Sequence, residues 1–175
     1  NVKLIASDMD QTLLTSEGTL PPHFDRYLRR LNQAGIEFVA ASGRPLYTLQ
    51  ETFPHFTKQI SLVCDNGGLV ASHGQIIGKS LIPAAAYREI VAFICDKTDG
   101  VPVLCALDAA YINAADGQYA PALLPFYHQL KKVPDLMAAS LEVDKVTIYF
   151  PNADSRVNAE RYFRPAFGQN YTVQV

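Results

Sequence analysis

The sequence has few of the features that mark secreted, nucleic-acid-binding or membrane-spanning proteins. Its three cysteines, Cys64, Cys95 and Cys105, are odd in number, lack CxxC spacing and sit in apolar surroundings, so we expect buried, reduced thiols rather than disulfides or a zinc site. No run of lysine or arginine exceeds a pair and the net charge is −2, which argues against a nucleic-acid or anionic-membrane surface. No apolar stretch approaches the roughly 18 residues of a membrane span, and no signal peptide opens the sequence. We therefore predict a soluble, cytoplasmic protein.

Several signatures of common catalytic sites are also missing. The sequence contains no GxGxxG run, no Walker loop and no nucleophile elbow around a serine, and so lacks the usual marks of dinucleotide, nucleoside triphosphate and serine hydrolase sites. Its four histidines lack the close spacing of metal ligands, so we interpret them as structural or surface residues. They are His23, His55, His73 and His128.

The residues that are present are typical of a globular protein. Hydrophobic residues make up 49% of the 175 residues and charged residues 18%, a balance that excludes a disordered chain. A chain of this length buries roughly 70% of the surface that its unfolded form exposes, so it can fold without disulfides or a structural metal. The length fits one large domain or two small ones.

The first half of the chain alternates strand-like and helix-like segments. Runs of consecutive apolar residues predict strands, and the amphipathic runs between them predict helices. The predicted strands and helices alternate over residues 4–6, 23–34, 36–41, 46–53 and 60–64, and a hairpin follows over residues 69–77. This order favours an α/β fold with a parallel sheet covered on both faces. Gly35 stands where the first helix would end.

A second unit begins near Pro83. The pattern predicts helices over residues 84–96, 122–130 and 153–163, and strands over residues 101–107, 111–113, 145–150 and 171–175. We therefore predict two domains, residues 1–82 and residues 83–175. In the second, we interpret Asp108 as a solvated acid, Tyr111 as part of the core and the Lys131-Lys132 pair as a solvated face.

The strongest chemical signal is the run Asp8-Met9-Asp10-Gln11-Thr12, directly after the first predicted strand. Carboxylates two residues apart at the carboxyl end of a parallel strand lie in the crevice where open α/β sheets bind ligands. One carboxylate can attack an electrophile such as phosphorus while its neighbour transfers protons. Two adjacent acidic oxygens also suit Mg²⁺. The alternative interpretation is a turn with two solvated aspartates.

Polar loops follow the next two predicted strands as well. The run Ser42-Gly43-Arg44 offers a hydroxyl, close backbone approach and a cation, which suits phosphate binding, although Ser42 fits equally well as a helix N-cap. The run Asp65-Asn66-Gly67-Gly68 is by composition a turn into the hairpin. Because Asp8, Ser42 and Asn66 each follow a neighbouring parallel strand, we expect all three to face one crevice.

These three runs resemble the first motif, the second motif and the following Asn-Gly loop of the haloacid dehalogenase (HAD) superfamily, and more closely its Cof-type phosphatases. The resemblance covers essentially the whole chain and implies a Rossmann-like HAD core with an inserted α/β cap. It implies that Asp8 is the nucleophile and a Mg²⁺ ligand, and that Asp10 is the general acid/base and a second Mg²⁺ ligand through its backbone carbonyl. The residues implied to bind phosphate or substrate are Thr12, Ser42, Gly43, Arg44 and Asn66.

The sequence departs from the superfamily pattern in two respects. Gln11 takes the place of the usual glycine in DxDGT, and neither a Ser-Lys-Gly motif nor a Gly-Asp-x-x-Asn-Asp motif occurs in the 175 residues. That lysine neutralises the nucleophile and phosphate and the acidic motif completes the Mg²⁺ shell, so we expect little turnover from these residues alone. With no initiator methionine either, the resemblance predicts a fragment of a longer phosphatase. It also implies strands beside the first one, whose edge we therefore expect to be open.

The leading prediction is a Mg²⁺-dependent hydrolase of small, soluble phosphomonoesters such as sugar phosphates, which works through an aspartyl-phosphate intermediate. We expect a small-molecule phosphorylated substrate and no nucleic-acid or membrane partner. Two alternatives stay open: a phosphomutase with the same motifs, and a non-catalytic module that binds phosphate or Mg²⁺.

Overall fold

The structure is a computed structural model that describes all residues, 1–175. The chain divides into two compact units, each with its own sheet. The first comprises Asn1–Leu81 together with Phe126–Gln129, and the second comprises Ile82–Pro125 together with Leu130–Val175.

The first unit follows the predicted order of strands and helices. Its elements are β1 (Leu4–Asp8), α1 (Phe24–Gln33), β2 (Glu37–Ala41), α2 (Leu46–Thr52), β3 (Ser61–Cys64), β4 (Leu69–Ser72) and β5 (Gln75–Lys79). The strands form one sheet in the order β1-β2-β3-β4-β5. Strands β1, β2 and β3 are parallel, while β4 is antiparallel to both β3 and β5. The α/β fold, the parallel sheet and the hairpin are therefore confirmed.

Helix α1 ends in a glycine-dependent turn. Gly35 has a φ of 66°, in the left-handed region that glycine adopts without a steric penalty. The Ile36 N–H then donates to the Leu31 carbonyl at 2.9 Å, which is the hydrogen bond of a Schellman motif. The turn confirms the predicted helix end and directs the chain into β2.

Strand β1 lies at the open edge of the sheet, where it pairs with β2 alone. Leu4 is 54% exposed and Ile5 is 38% exposed, whereas Phe38–Ala40 of β2 are buried. The expected open edge is confirmed. The expectation that helices cover both faces of the sheet is wrong for β1, because α1 packs mainly on β2 and α2 mainly on β3.

An aromatic cluster holds the helices on the sheet of the first unit. The ring of Phe24 on α1 lies 5.5 Å from that of Phe38, 5.9 Å from that of Phe53 and 5.3 Å from that of Phe56, measured between centroids. These tilted and edge-to-face contacts stabilise the cluster beyond the burial of apolar area. They fix β2 against α1, and with it the start of the loop that follows β2.

The second unit is an α/β layer built on a four-stranded sheet. Its elements are α3 (Ala84–Lys97), β6 (Val101–Ala106), β7 (Ala110–Asn113), α4 (Ala120–Leu123), β8 (Leu130–Val133), β9 (Val143–Tyr149), α5 (Ser155–Asn158) and α6 (Arg164–Phe167). The strand order is β8-β7-β6-β9, and the β7–β8 pair is parallel. A π-helical turn, Ala159–Phe163, joins α5 to α6.

The Lys131-Lys132 pair is exposed, as predicted, and its backbone forms β8. Two other predictions for the second unit are wrong. The helix predicted over residues 122–130 ends at Leu123, because Pro125 has no N–H with which to continue it. The strand predicted over residues 171–175 does not form, since neither edge of the sheet pairs with it.

The core of the second unit packs α3 against the middle of its sheet. Tyr87 is fully buried, and its hydroxyl donates to the Ala139 carbonyl at 2.9 Å, so its polar end is satisfied. Tyr111 belongs to the same core, as the sequence predicts. The buried residues of this cluster are Tyr87, Val91, Leu104, Ala106, Ala109, Tyr111, Leu136 and Val143.

None of the three cysteines forms a disulfide. Cys64 and Cys105 are buried as predicted, but Cys95 is exposed, so the prediction of burial is wrong for that residue. Burial and the nearby Asp116 carboxylate raise the pKa of the Cys95 thiol. None of the helices has the combination of length and apolar character needed to cross a lipid bilayer.

Candidate active site

The loops after β1, β2 and β3 emerge side by side at one edge of the first sheet. Asp8, the last residue of β1, is in register with Ala41, the last residue of β2. The next residue, Ser42, donates its N–H to the Val63 carbonyl on β3 at 2.9 Å. The topology thus brings together the three polar runs that the sequence singles out.

The loop after β1 turns the chain back on itself. Met9 is fully buried and anchors the turn, which the Leu14 N–H closes by donating to the Met9 carbonyl at 2.9 Å. Within it, Gln11 has a φ of 59°, a left-handed conformation. The turn places Thr12 so that its hydroxyl donates to Asp8 Oδ2 at 3.3 Å. A hydroxyl therefore lies beside the carboxylate at the end of β1.

The loop after β2 presents a buried hydroxyl. Ser42 is 8% exposed, and its Oγ accepts the Arg44 N–H at 3.1 Å. Helix α2 begins at Leu46, and its N-cap residue is Pro45. The interpretation of Ser42 as the helix N-cap is therefore wrong; its hydroxyl stabilises the loop before the helix and keeps its own proton to donate.

The loop after β3 is fastened to the loop after β2. The Asp65 N–H donates to the Arg44 carbonyl at 3.0 Å, and the Asn66 N–H donates to the Ser42 carbonyl at 3.1 Å. A Cβ on Gly43 would lie 2.9 Å from Asn66 Oδ1, so glycine is needed for the Asn66 side chain to occupy this place. The composition predicts a turn here, and the turn forms. Its hydrogen bonds also hold the loop after β2 in place.

Consecutive left-handed residues shape this third loop. Asp65 has a φ of 49° and Asn66 a φ of 58°, conformations that cost free energy for residues with a Cβ and are most accessible to asparagine and aspartate. Asp65 is also buried, at 6% exposure. Asp65 links the second and third loops through its backbone N–H, a role that sequence reasoning missed. Only the tendency of aspartate and asparagine to adopt left-handed conformations indicates it.

The first and second loops are joined by an ion pair. Arg44 Nη2 lies 2.5 Å from Asp10 Oδ1, and the two side chains are 34% and 60% exposed. Sequence reasoning assigns both residues to the site but misses this contact, since the two stand 34 positions apart. The end of β1 and the three loops therefore carry three carboxylates, two hydroxyls, an amide and one guanidinium, and the Asp65 carboxylate is in a buried residue.

The remaining titratable candidates do not form a metal cluster. Nowhere in the molecule do three or more histidine, cysteine, aspartate or glutamate side chains come together in a way that could hold a metal ion. His73 instead pairs with Glu37 at 3.3 Å, and His128 pairs with Glu51. The interpretation of these two histidines as structural or surface residues is confirmed.

A separate polar cluster lies on the second unit. The Tyr111 hydroxyl and Lys131 Nζ each donate to Asp108 Oδ2 at 2.7 Å. Burial raises the pKa of the Asp108 carboxyl, but the two hydrogen bonds outweigh it and leave that pKa below its ordinary value. Asp108 is exposed, as the sequence predicts, and it is also paired with Lys131.

Comparison with known proteins identifies the family. The family model for haloacid dehalogenase-like hydrolases matches residues 5–174. The 5-amino-6-(5-phospho-D-ribitylamino)uracil phosphatase YbjI of Escherichia coli strain K12 is 30% identical over 135 residues, which cover 76% of this chain and 50% of that protein. The chain thus spans half of the length of this curated relative.

Solved structures support the same assignment. SMU.1108c from Streptococcus mutans UA159 superposes with a TM-score of 0.83 at 28% identity, over 91% of this chain and 61% of that one. The HAD subclass IIB sugar phosphatase BT4131 superposes with a TM-score of 0.66 at 19% identity, over 91% of this chain and 63% of that one, a likeness of fold. The chain therefore belongs to the haloacid dehalogenase-like hydrolase family as a Cof-type member, which confirms the resemblance of its three motifs.

Proposed function

We propose that this chain carries the nucleophile and the acid/base of a Mg²⁺-dependent phosphatase that hydrolyses small phosphomonoesters. The observation that carries the proposal is the meeting of three loops at one sheet edge, with Asp8 beside the Thr12 hydroxyl and Asp10 beside Arg44. Such an edge is where open α/β sheets bind ligands. Family membership adds support, because the matched family consists of hydrolases.

The proposed reaction has two steps. A carboxylate oxygen of Asp8 attacks phosphorus, the bond from phosphorus to the ester oxygen breaks, and the Asp10 carboxyl gives its proton to the departing alkoxide. Asp10, now a carboxylate, then takes a proton from a water molecule whose oxygen attacks the same phosphorus. The aspartyl-phosphate bond breaks, inorganic phosphate leaves, and both side chains return to their initial state.

Three further groups would hold the phosphoryl oxygens during transfer. The hydroxyls of Thr12 and Ser42 can donate hydrogen bonds, and the Asn66 amide lies over Gly43 at the mouth of the same loop. The Arg44 guanidinium, which the resemblance also implies at this site, pairs with Asp10. Donors fixed in advance by the fold stabilise the charge of a transferring phosphoryl group without further reorganisation.

The oxygen atoms at the first turn suit Mg²⁺. This ion is commonly held by one or two carboxylates, with water and a substrate phosphate completing its octahedron. Asp8 offers a carboxylate, and the family resemblance implies the backbone carbonyl of Asp10 as a second ligand; the Asp10 carboxylate itself is engaged by Arg44. When bound, Mg²⁺ would offset the repulsion between the carboxylates and an incoming phosphate.

The substrate class is proposed from the relatives. YbjI is named for a phosphoribityl compound, and BT4131 is described as a sugar phosphatase, so we propose a small, hydroxyl-rich phosphomonoester. We assign catalysis to the first unit and substrate selection, as the cap, to the second unit. Since the chain contains neither the Ser-Lys-Gly nor the Gly-Asp-x-x-Asn-Asp motif, we expect slow turnover from these residues alone.

The experiment is a phosphorylation and release assay on the 175-residue chain with Mg²⁺. Acetyl phosphate should transfer one phosphoryl group to the chain, detected by intact mass, and sugar phosphates should release inorganic phosphate. Asp8→Asn should abolish both, and Asp10→Ala should slow release by at least roughly 10². Asp25→Asn is the matched control, because Asp25 is a surface carboxylate paired with Arg29 on α1.

Each alternative has its own outcome in this assay. An isomerised sugar phosphate without free phosphate would make the protein a phosphomutase. Calorimetric binding of inorganic phosphate without any transfer to the chain would make it a binding module. Full phosphorylation of the Asp8→Asn variant would remove Asp8 as the nucleophile.

A further inference from the structure

We infer that Arg44 is a positioning residue for Asp10 rather than a ligand of the phosphoryl group, an inference that rests on the proposed function. Both roles are open to an arginine at this loop, because a guanidinium binds carboxylates and phosphates with the same geometry. The contacts of the two side chains favour the first role.

The backbone of Arg44 is fixed on both sides. Its N–H donates to Ser42 Oγ at 3.1 Å, and its carbonyl accepts the Asp65 N–H at 3.0 Å. The side chain therefore starts from a point that is tied to two neighbouring loops. A long side chain anchored in this way can hold a partner at a defined distance from the second loop.

Asp10 has no comparable support of its own. Its side chain is 60% exposed and stands in an open turn next to the left-handed Gln11. Within the protein, the Asp10 carboxylate accepts a hydrogen bond from Arg44 Nη2 at 2.5 Å. Without Arg44, the carboxylate would rotate freely among its rotamers in solvent.

The orientation of the guanidinium matters for the choice between the two roles. Its Nη2 points at Asp10, so a phosphoryl group bound by the same N–H would have to displace the carboxylate. Proton transfer depends on a donor held within hydrogen-bond reach of the reacting oxygen, and small misplacements cost large factors in rate. An exposed ion pair contributes little to stability, which leaves alignment of Asp10 as its main consequence.

The two roles predict opposite results for phosphate affinity and for the rate of dephosphorylation. If Arg44 positions Asp10, Arg44→Gln leaves the Kd of inorganic phosphate, measured by calorimetry with Mg²⁺, within about threefold of the parent chain. The same variant lengthens the lifetime of the phosphorylated chain by about tenfold or more, because Asp10 no longer activates water efficiently. Arg44→Lys, which keeps a cation that can reach Asp10, recovers part of the rate.

A double variant tests whether the effect passes through Asp10. Asp10→Asn alone should lengthen the lifetime at least as much as Arg44→Gln, and adding Arg44→Gln to Asp10→Asn should change it by less than about twofold. Arg29→Gln, which breaks the exposed pair with Asp25 on α1, is the control and should change neither lifetime nor phosphate affinity.

The results separate this inference from the proposed function. Weakening of phosphate binding by about tenfold or more in Arg44→Gln, an unchanged lifetime, or additive effects in the double variant would overturn the positioning role and leave the proposed function standing. Failure of the parent chain to accept a phosphoryl group from acetyl phosphate would overturn both.

Discussion

Replacing Gln11 by glycine is expected to stabilise the first unit. Gln11 has a φ of 59°, and its side chain is exposed, so the substitution removes no buried contact. A residue with a Cβ costs roughly 1–2 kcal/mol in the left-handed region, whereas glycine loses about 0.5–1 kcal/mol more conformational entropy on folding than alanine. The difference predicts a gain of about 0.5–1 kcal/mol in the free energy of unfolding.

Urea denaturation followed by far-UV circular dichroism measures this gain. Gln11→Ala is the matched control, because it shortens the side chain but keeps the Cβ that causes the strain. We expect Gln11→Gly to unfold at a higher urea concentration than both the parent chain and Gln11→Ala, with an unchanged slope. Equal midpoints for the glycine and alanine variants would refute the reasoning, since the left-handed turn would then carry no strain.

Three further outcomes are expected. Gly35→Ala should lower the free energy of unfolding by about 1 kcal/mol in urea denaturation, since Gly35 has a φ of 66° and no atom lies within 4 Å of the added Cβ; an unchanged midpoint would contradict this. Lys131→Met should destabilise the protein at pH 7, where the lowered pKa of Asp108 keeps its carboxyl ionised and paired. The difference in stability between the variant and the parent, measured by thermal unfolding, should shrink at pH values below that pKa, because the carboxyl is then protonated in both proteins. A difference in stability that does not depend on pH would count against the pairing. One thiol per chain, Cys95, should react with an aromatic disulfide reagent under native conditions, more slowly than a free thiol because its pKa is raised; labelling in a Cys95→Ser variant would contradict the burial of the other two cysteines.

The first unit could be predicted well because its signals are local. Each strand of the parallel sheet is a short apolar run, and Gly35 marks the end of α1 by its own conformational freedom. The second unit was harder to predict because strand pairing depends on neighbours that a side-chain pattern does not reveal. Residues 130–133 carry two lysines yet pair with β7, while residues 171–175, in which apolar and polar residues alternate, have no strand beside them.

The candidate site also has one part that the sequence predicts and another that it does not. The common edge of Asp8, Ser42 and Asn66 follows from the parallel order of β1, β2 and β3, which the sequence predicts. The ion pair between Arg44 and Asp10 does not follow, because it depends on the side-chain rotamers of residues on two different loops. Likewise, the closeness of Gly43 and Asn66 becomes visible only when the loops are packed.

Because β1 lies at the open edge of its sheet, the candidate site can be disrupted while the rest of the fold stays intact. Asp8 is carried by a strand with hydrogen-bonded support on one side and exposed apolar residues along its length. Such a strand can detach locally at a lower free energy than global unfolding requires. Fraying of five residues would withdraw Asp8 while β2 to β5 and the aromatic cluster stayed folded. Hydrogen exchange at the amides of β1 would therefore report whether Asp8 is held in the site better than any melting curve of the whole chain.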